Sequence, residues 1–242
     1  MNPLVNYSLD GPVATLAMDD GKVNALSLGM FAALEQGLDR ATADQASVVV
    51  LAGREGIFSA GFDLRTLKGG GPDAAKMLIG GFELAERMLA FPKPIVIACT
   101  GHAFAMGVFL VMSADYRVGA DGPYKITANE VAIGLTLPRS AIEICRQRLT
   151  PAHFNRALNN AEVYAPADAV GAGFLDRVVA PGDVRAVAHE AAVAFSKLSL
   201  PAHAATKERT RQQALHALRA AIVADAADFN APSRFAAGLA GG

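Results

Sequence analysis

The chain has 242 residues, with a hydrophobic fraction of 52% and a charged fraction of 19%, enough apolar material for one sizeable core. A formal net charge of −1 excludes a strongly basic nucleic-acid footprint and gives no basic face for a membrane surface. The longest apolar run, Ala103 to Ala114, is well short of the ~20 residues that cross a bilayer, so it reads as a buried helix.

The first segment alternates. Val5 and Tyr7, then Val13, Thr15 and Ala17, predict a hairpin turned at Asp10-Gly11-Pro12. Ser27 is placed to cap a helix through Met30, Leu34 and Leu38. Val48 to Ala52 is fully apolar, as a buried parallel strand requires. Gly53 to Gly56 turns the chain into Phe58-Ser59-Ala60-Gly61. Lys68 to Asp73, with three consecutive glycines and a proline, predicts a flexible loop. Ala74 to Leu89 has helical spacing and is stopped by Pro92 and Pro94. Ile95 to Cys99 reads as a second buried strand, Gly101 to Gly107 as a loop, the stretch from Val108 as a helix and Tyr116 to Val118 as a third core strand.

After Pro151 alanine dominates and the spacing is helical, through Phe154 to Leu158, Pro166 to Val170 and Val184 to Leu198. Pro201 opens a further helix carrying Lys207, Arg209 and Arg211. Leu215 to Phe229 continues the helical spacing, and Ala236 to Gly242 is expected to fray. Interleaved strands and helices followed by helices alone argue for an α/β core with a helical C-terminal extension. No internal sequence repeat is evident. The N-terminus lacks a basic segment followed by an apolar one, and Cys99 and Cys145 sit in apolar stretches. These features predict no signal peptide, packed thiols and a cytoplasmic location.

Several familiar constellations are absent. Gly69-Gly70-Gly71 has no following Gly-Lys-Ser/Thr, so it is not a phosphate loop. Gly171-Ala172-Gly173 lacks the third glycine of a dinucleotide fingerprint and follows a helix. Ser59 is not in a nucleophile elbow, because Ile57 occupies the first glycine position. The histidines are scattered without metal-ligand spacing, so no metal is expected.

Three other stretches carry the signal. Phe58-Ser59-Ala60-Gly61-Phe62-Asp63-Leu64 follows one buried strand. Gly101-His102-Ala103-Phe104-Ala105-Met106-Gly107 follows the next and precedes Ala114-Asp115-Tyr116-Arg117-Val118. Asn129-Glu130-Val131-Ala132-Ile133-Gly134 comes third, and Ala167 to Val179 completes the set. In this order the chain, from about Val5 to beyond Ala180, resembles the enoyl-CoA hydratase/isomerase (crotonase) family. The resemblance implies a crotonase-like α/β spiral of ββα units over residues 1–190 and a helical C-terminal trimerisation region over 191–242. It also implies a homotrimer or a dimer of trimers, and an acyl-CoA substrate whose coenzyme A is part of the thioester rather than a separate cofactor.

The chemistry accounts for the pattern. Removing the α-proton of a thioester gathers negative charge on the carbonyl oxygen, and two backbone N–H groups aimed there stabilise the enolate; losing one such donor costs ~3 kcal/mol of barrier. By resemblance the donors are the N–H groups of Ala60 and Met106, and Glu130, set among apolar neighbours that would raise its pKa, moves the proton. The family often shows glycines where this chain has Ala105-Met106-Gly107. Members that add water usually carry a second glutamate where this chain has Phe109. A single base suffices to take a proton from C2 and return it at C4, so double-bond isomerisation is favoured over hydration. Crotonase-like thioester hydrolysis, dehalogenation and non-catalytic CoA binding are the remaining readings.

Lys22-Val23-Asn24-Ala25-Leu26 resembles the family's segment that holds the nucleotide end of coenzyme A through backbone groups. Ligand contacts are therefore expected at Lys22, Asn24, Ala25 and Leu26, and at Ala60, Phe62, Asp63 and Leu64. Lys22 reads equally as a phosphate contact and as a solvated turn lysine. Asp63 is expected to cap the following helix. Phe62, Leu67, Met77 and Phe104 read as acyl-channel lining or as core. Glu143 reads as a helix-surface carboxylate.

Overall fold

A computed structural model describes residues 3–230. The hairpin forms as β1 (Val5–Asp10) and β2 (Val13–Met18), antiparallel, and the chain then enters α1 (Leu28–Ala43). The Ser27 side chain accepts the Met30 N–H and caps α1. Two strands follow, β3 (Val48–Ala52) and β4 (Gly56–Ser59), and two helices, α2 (Leu64–Gly69) and α3 (Gly71–Ala90). The same sequence of elements recurs as β5 (Ile95–Cys99), β6 (Gly101–Phe104) and α4 (Met106–Met112). It begins again as β7 (Tyr116–Ala120) and β8 (Ile126–Thr127).

Pairing separates these strands into two sheets. One has the order β1-β2-β3-β5-β7-β9, with β9 at Arg177–Val179; the other has the order β4-β6-β8. Apart from the β1–β2 hairpin every pairing is parallel. Each turn of the spiral thus contributes one strand to the large sheet and the next to the small one.

The fully apolar β3 is explained by cover on both faces. Val49 and Leu51 point into the main core with Leu16, Ile97 and the apolar sides of α1, α3 and α4. Val48, Val50 and Ala52 point the other way, against Val184, Ala188 and Ala192 of α8 (Val184–Phe195). Residue 190 falls within α8, which lies across β3, β5 and β7.

The connecting helices are α5 (Arg139–Arg146), α6 (Pro151–Asn159) and α7 (Pro166–Ala172). The chain from Pro201 to Phe229 is one helix, α9 (Leu200–Phe229), packed on α3 and α5. Buried charges lock it in place. The Asp115 carboxylate receives Lys207 Nζ at 2.7 Å and the Arg211 guanidinium at 2.9 Å. Further along α9, Asp225 accepts the Arg139 and Ser140 N–H groups and the Ser140 hydroxyl, capping α5.

Several local expectations are corrected. The loop expected over Lys68 to Asp73 is instead the junction of α2 and α3, which meet at Gly70 with Pro72 in the first turn of α3. A break between helices needs only one residue here, so glycine content overstated its length. Gly101 to Gly107 is not a loop but β6 followed at once by α4, which begins at Met106 rather than Val108. The third core strand extends to Ala120. The expected fray at Ala236 to Gly242 lies outside the described residues. Cys99 and Cys145 are both buried free thiols. Among the described residues no helix is long and apolar enough to cross a membrane, and no cluster of His, Cys, Asp and Glu is arranged to hold a metal.

Candidate active site

The small sheet positions the site. Its strands run parallel, so their C-terminal ends emerge along one edge. From β4 comes Ala60-Gly61-Phe62, from β6 Ala105-Met106, and from β8 Ala128-Asn129-Glu130. Ligands bind at this edge of parallel sheets because loops of different strands converge there.

Glu130 is 7% exposed, and its Oε2 has no hydrogen-bond partner. Its carbonyl accepts the N–H groups of Ile133 and Leu135, which fixes the backbone just after β8. Burial pushes the carboxyl up to about 7. The neighbouring Asn129 Oδ1 is also buried without a partner. Across from these groups the buried Cys145 thiol of α5 feels the Glu130 charge. Asp225 is as deeply buried, but its oxygens are committed to capping α5, so Glu130 is the buried acid left with an open oxygen. Glu143, by contrast, pairs with Arg146 on the outer side of α5.

At the start of α4 the Met106 N–H is left free. Val108 and Phe109 donate to the Ala105 carbonyl, which opens α4 and leaves the Met106 N–H without an intrahelical acceptor. Ala105 holds φ 48° and ψ −124°, an uncommon conformation for a residue with a Cβ. It marks an abrupt turn from strand to helix.

The first donor is not Ala60. Its N–H donates to the Val23 carbonyl at 3.0 Å and is unavailable to a ligand. Two residues on, a parallel bridge joins Leu26 to Phe62: Leu26 donates to the Gly61 carbonyl and Asp63 donates to the Leu26 carbonyl. In such a bridge the central residue's own N–H points away from the partner strand. The Phe62 N–H therefore faces the opposite side and has no protein acceptor among the described residues. Gly61, at φ 89°, makes the turn possible, and a Cβ there would lie 3.5 Å from the Met106 nitrogen. The Gly61–Phe62 peptide thus lies alongside the start of α4, so the unpaired N–H groups of Phe62 and Met106 belong to neighbouring segments. Local sequence gave no signal for this, because the free N–H is decided by the partners Val23 and Leu26.

The segment from Lys22 to Leu26 is laced into the same loop. Asp20 accepts the N–H groups of Lys22, Asn24 and Ala25. The Asn24 amide donates to the Met18 and Phe58 carbonyls. With Leu26 also committed, the N–H groups of Lys22, Asn24, Ala25 and Leu26 are all satisfied within the chain. Donor contacts from these four N–H groups to a nucleotide, one form of the expected backbone grip, are closed. What remains outward is the exposed Lys22 and Val23 side chains.

Asp63 caps α2 by accepting from Arg65 and Thr66, while Leu64 is exposed. Phe62 stands edge-on to Phe31 and Phe82, with ring centroids 6.1 Å from each. Phe109 continues this aromatic run at 6.2 Å from Phe82 and shares a helix face with Met106. Leu67 and Met77 are core residues, and Phe104 stacks on His102.

Residues 9–237 match the family model described as Enoyl-CoA hydratase/isomerase. The chain is 46% identical to an enoyl-CoA isomerase of known structure from Mycobacterium tuberculosis, covering 94% of this chain and 100% of that one at a TM-score of 0.91. An enoyl-CoA hydratase from Mycobacterium marinum is equally similar, at 46% identity, 93% and 99% coverage and a TM-score of 0.90. Human mitochondrial delta3-delta2-enoyl-CoA isomerase matches at 28% identity, 98% and 95% coverage and a TM-score of 0.90.

Proposed function

This chain belongs to the enoyl-CoA hydratase/isomerase family, a family of enzymes, and on that footing we propose that it moves a double bond, converting a 3-enoyl-CoA to a 2-enoyl-CoA. The observation that carries this reading is a single buried carboxyl, Glu130, with an open oxygen and no second acid beside it on α4, where Phe109 is apolar and 1% exposed.

The thioester oxygen sits between the N–H groups of Phe62 and Met106. The Glu130 carboxylate takes a proton from C2, and the C2–H electrons pass through the carbon chain to that oxygen, giving a dienolate. As the charge returns, the same carboxyl delivers its proton to C4 and the double bond settles between C2 and C3. One base serves both transfers because C2 and C4 lie on the same face of a folded chain. Water addition asks for more: one group to activate the water and another to protonate carbon. Phe109 offers neither.

Hydration is the competing reading, favoured by the equal similarity to a hydratase. Supplying a 3-enoyl-CoA and a 2-enoyl-CoA separately distinguishes them. Bond migration with the first and negligible water uptake with the second is the expected outcome. Rapid formation of a 3-hydroxyacyl-CoA from the 2-enoyl substrate, without migration in the other reaction, would reverse the assignment.

A further inference from the structure

We propose that Ser59 is a positioning residue for the first amide donor: its hydroxyl captures the Gly61 N–H and thereby leaves the Phe62 N–H to face the thioester oxygen. This rests on the oxyanion-hole reading above.

The Ser59 side chain is fully buried, yet it bonds no other side chain. Its Oγ donates to the Asn24 carbonyl at 2.7 Å and accepts the Gly61 N–H at 3.1 Å. Across the loop, the N–H of Ala60 goes to Val23, that of Gly61 to Ser59, and that of Asp63 to Leu26. Only the Phe62 N–H in this run of four is left over, and its direction is set by where its neighbours are tied. Gly61 is buried, so its N–H cannot find water if the hydroxyl is removed. The loop would then rotate to satisfy it, carrying the adjoining peptide out of aim.

Two features place the hydroxyl for this task. A register shift between Ile57 and Ser59 interrupts the β4–β6 pairing, and such bulges re-aim the side chain that follows. Ser59 also lies against the first turn of α4, since a Cβ on Gly107 would lie 2.9 Å from the Ser59 Cβ. One small side chain therefore spaces the peptides bearing both donors while never meeting the substrate.

The test combines kinetics with the infrared spectrum of a bound, unreactive saturated acyl-CoA carrying an isotope label in its thioester carbonyl. In the wild-type protein the carbonyl stretch should move to lower frequency on binding. In Ser59→Ala most of that movement should be lost and kcat should fall ~10²-fold, with KM changed less than about threefold. Glu130→Gln should be inactive yet keep the full spectral shift, since its loss does not disturb the donors. Wild-type kcat and spectral shift in Ser59→Ala would overturn the proposal. If Ser59→Ala does not fold, Ser59→Cys, a weaker acceptor of similar size, should show an intermediate shift, and an undiminished one would overturn it. No shift in the wild-type protein would instead remove the oxyanion hole itself.

Discussion

Burial raises the Glu130 carboxyl from 4.5 to about 7, a property of its surroundings rather than of glutamate. The same burial has a consequence for stability. In the unfolded chain the group loses its proton near 4.5, whereas in the folded protein it keeps it up to about 7. Between these values the folded state binds more protons, so stability is greatest at the acid end of the window and falls as pH rises through it. The shift corresponds to about 3 kcal/mol. Glu130→Gln removes the ionisation and should abolish turnover while stabilising the protein at pH 8, by up to about 3 kcal/mol, relative to wild type. Urea denaturation at about pH 5 and about pH 8 checks this; equal stability differences at both would show that the carboxyl is solvated. That Glu130 and Met106 follow β8 and β6 was legible from motif order. That the Ala60 N–H is taken and the Phe62 N–H is free was not, since the two differ only in which carbonyls of the Lys22 to Leu26 segment face them.

Elements with strong local signals emerged where the sequence put them. The hairpin has its turn at Gly11, Ser27 caps α1, and the apolar β3 and β5 are covered on both faces. Short elements defined by distant partners were harder to see. The four-residue β4 and β6 are strands only because they pair with each other, and β6 with β8. Helix α9 depends on charge pairing at two points, the half-buried Asp115 with the buried Lys207 in its first half and the buried Asp225 near its end. Replacing Asp225 with Ala leaves the N–H groups of Arg139 and Ser140 uncapped and should cost about 3 kcal/mol. Hydrogen exchange should then quicken in the last turns of α9 and the first turn of α5, while the turns around Lys207 stay protected by Asp115. Uniform quickening along the whole helix would mean that the two anchors act as one.

Across the whole molecule the site exists because three non-adjacent segments end at one edge of a small parallel sheet. Each segment on its own is an ordinary strand end. The pairing β4-β6-β8 brings the segments bearing Phe62, Met106 and Glu130 to one edge. The α/β class and its helical C-terminal portion were readable from the order of apolar runs and the alanine-rich end. The division into two sheets was not, because the partner of a strand is set by long-range packing. The most direct measurement is the rate of 3-enoyl-CoA to 2-enoyl-CoA conversion, as kcat/KM, followed from about pH 5 to about pH 9. The expected profile rises with pH through a midpoint near 7, where Glu130 becomes the free base, with no hydrated product at any pH. A midpoint near the ordinary glutamate value, or hydrated product exceeding migrated product, would contradict a single buried carboxylate as the base that moves the double bond.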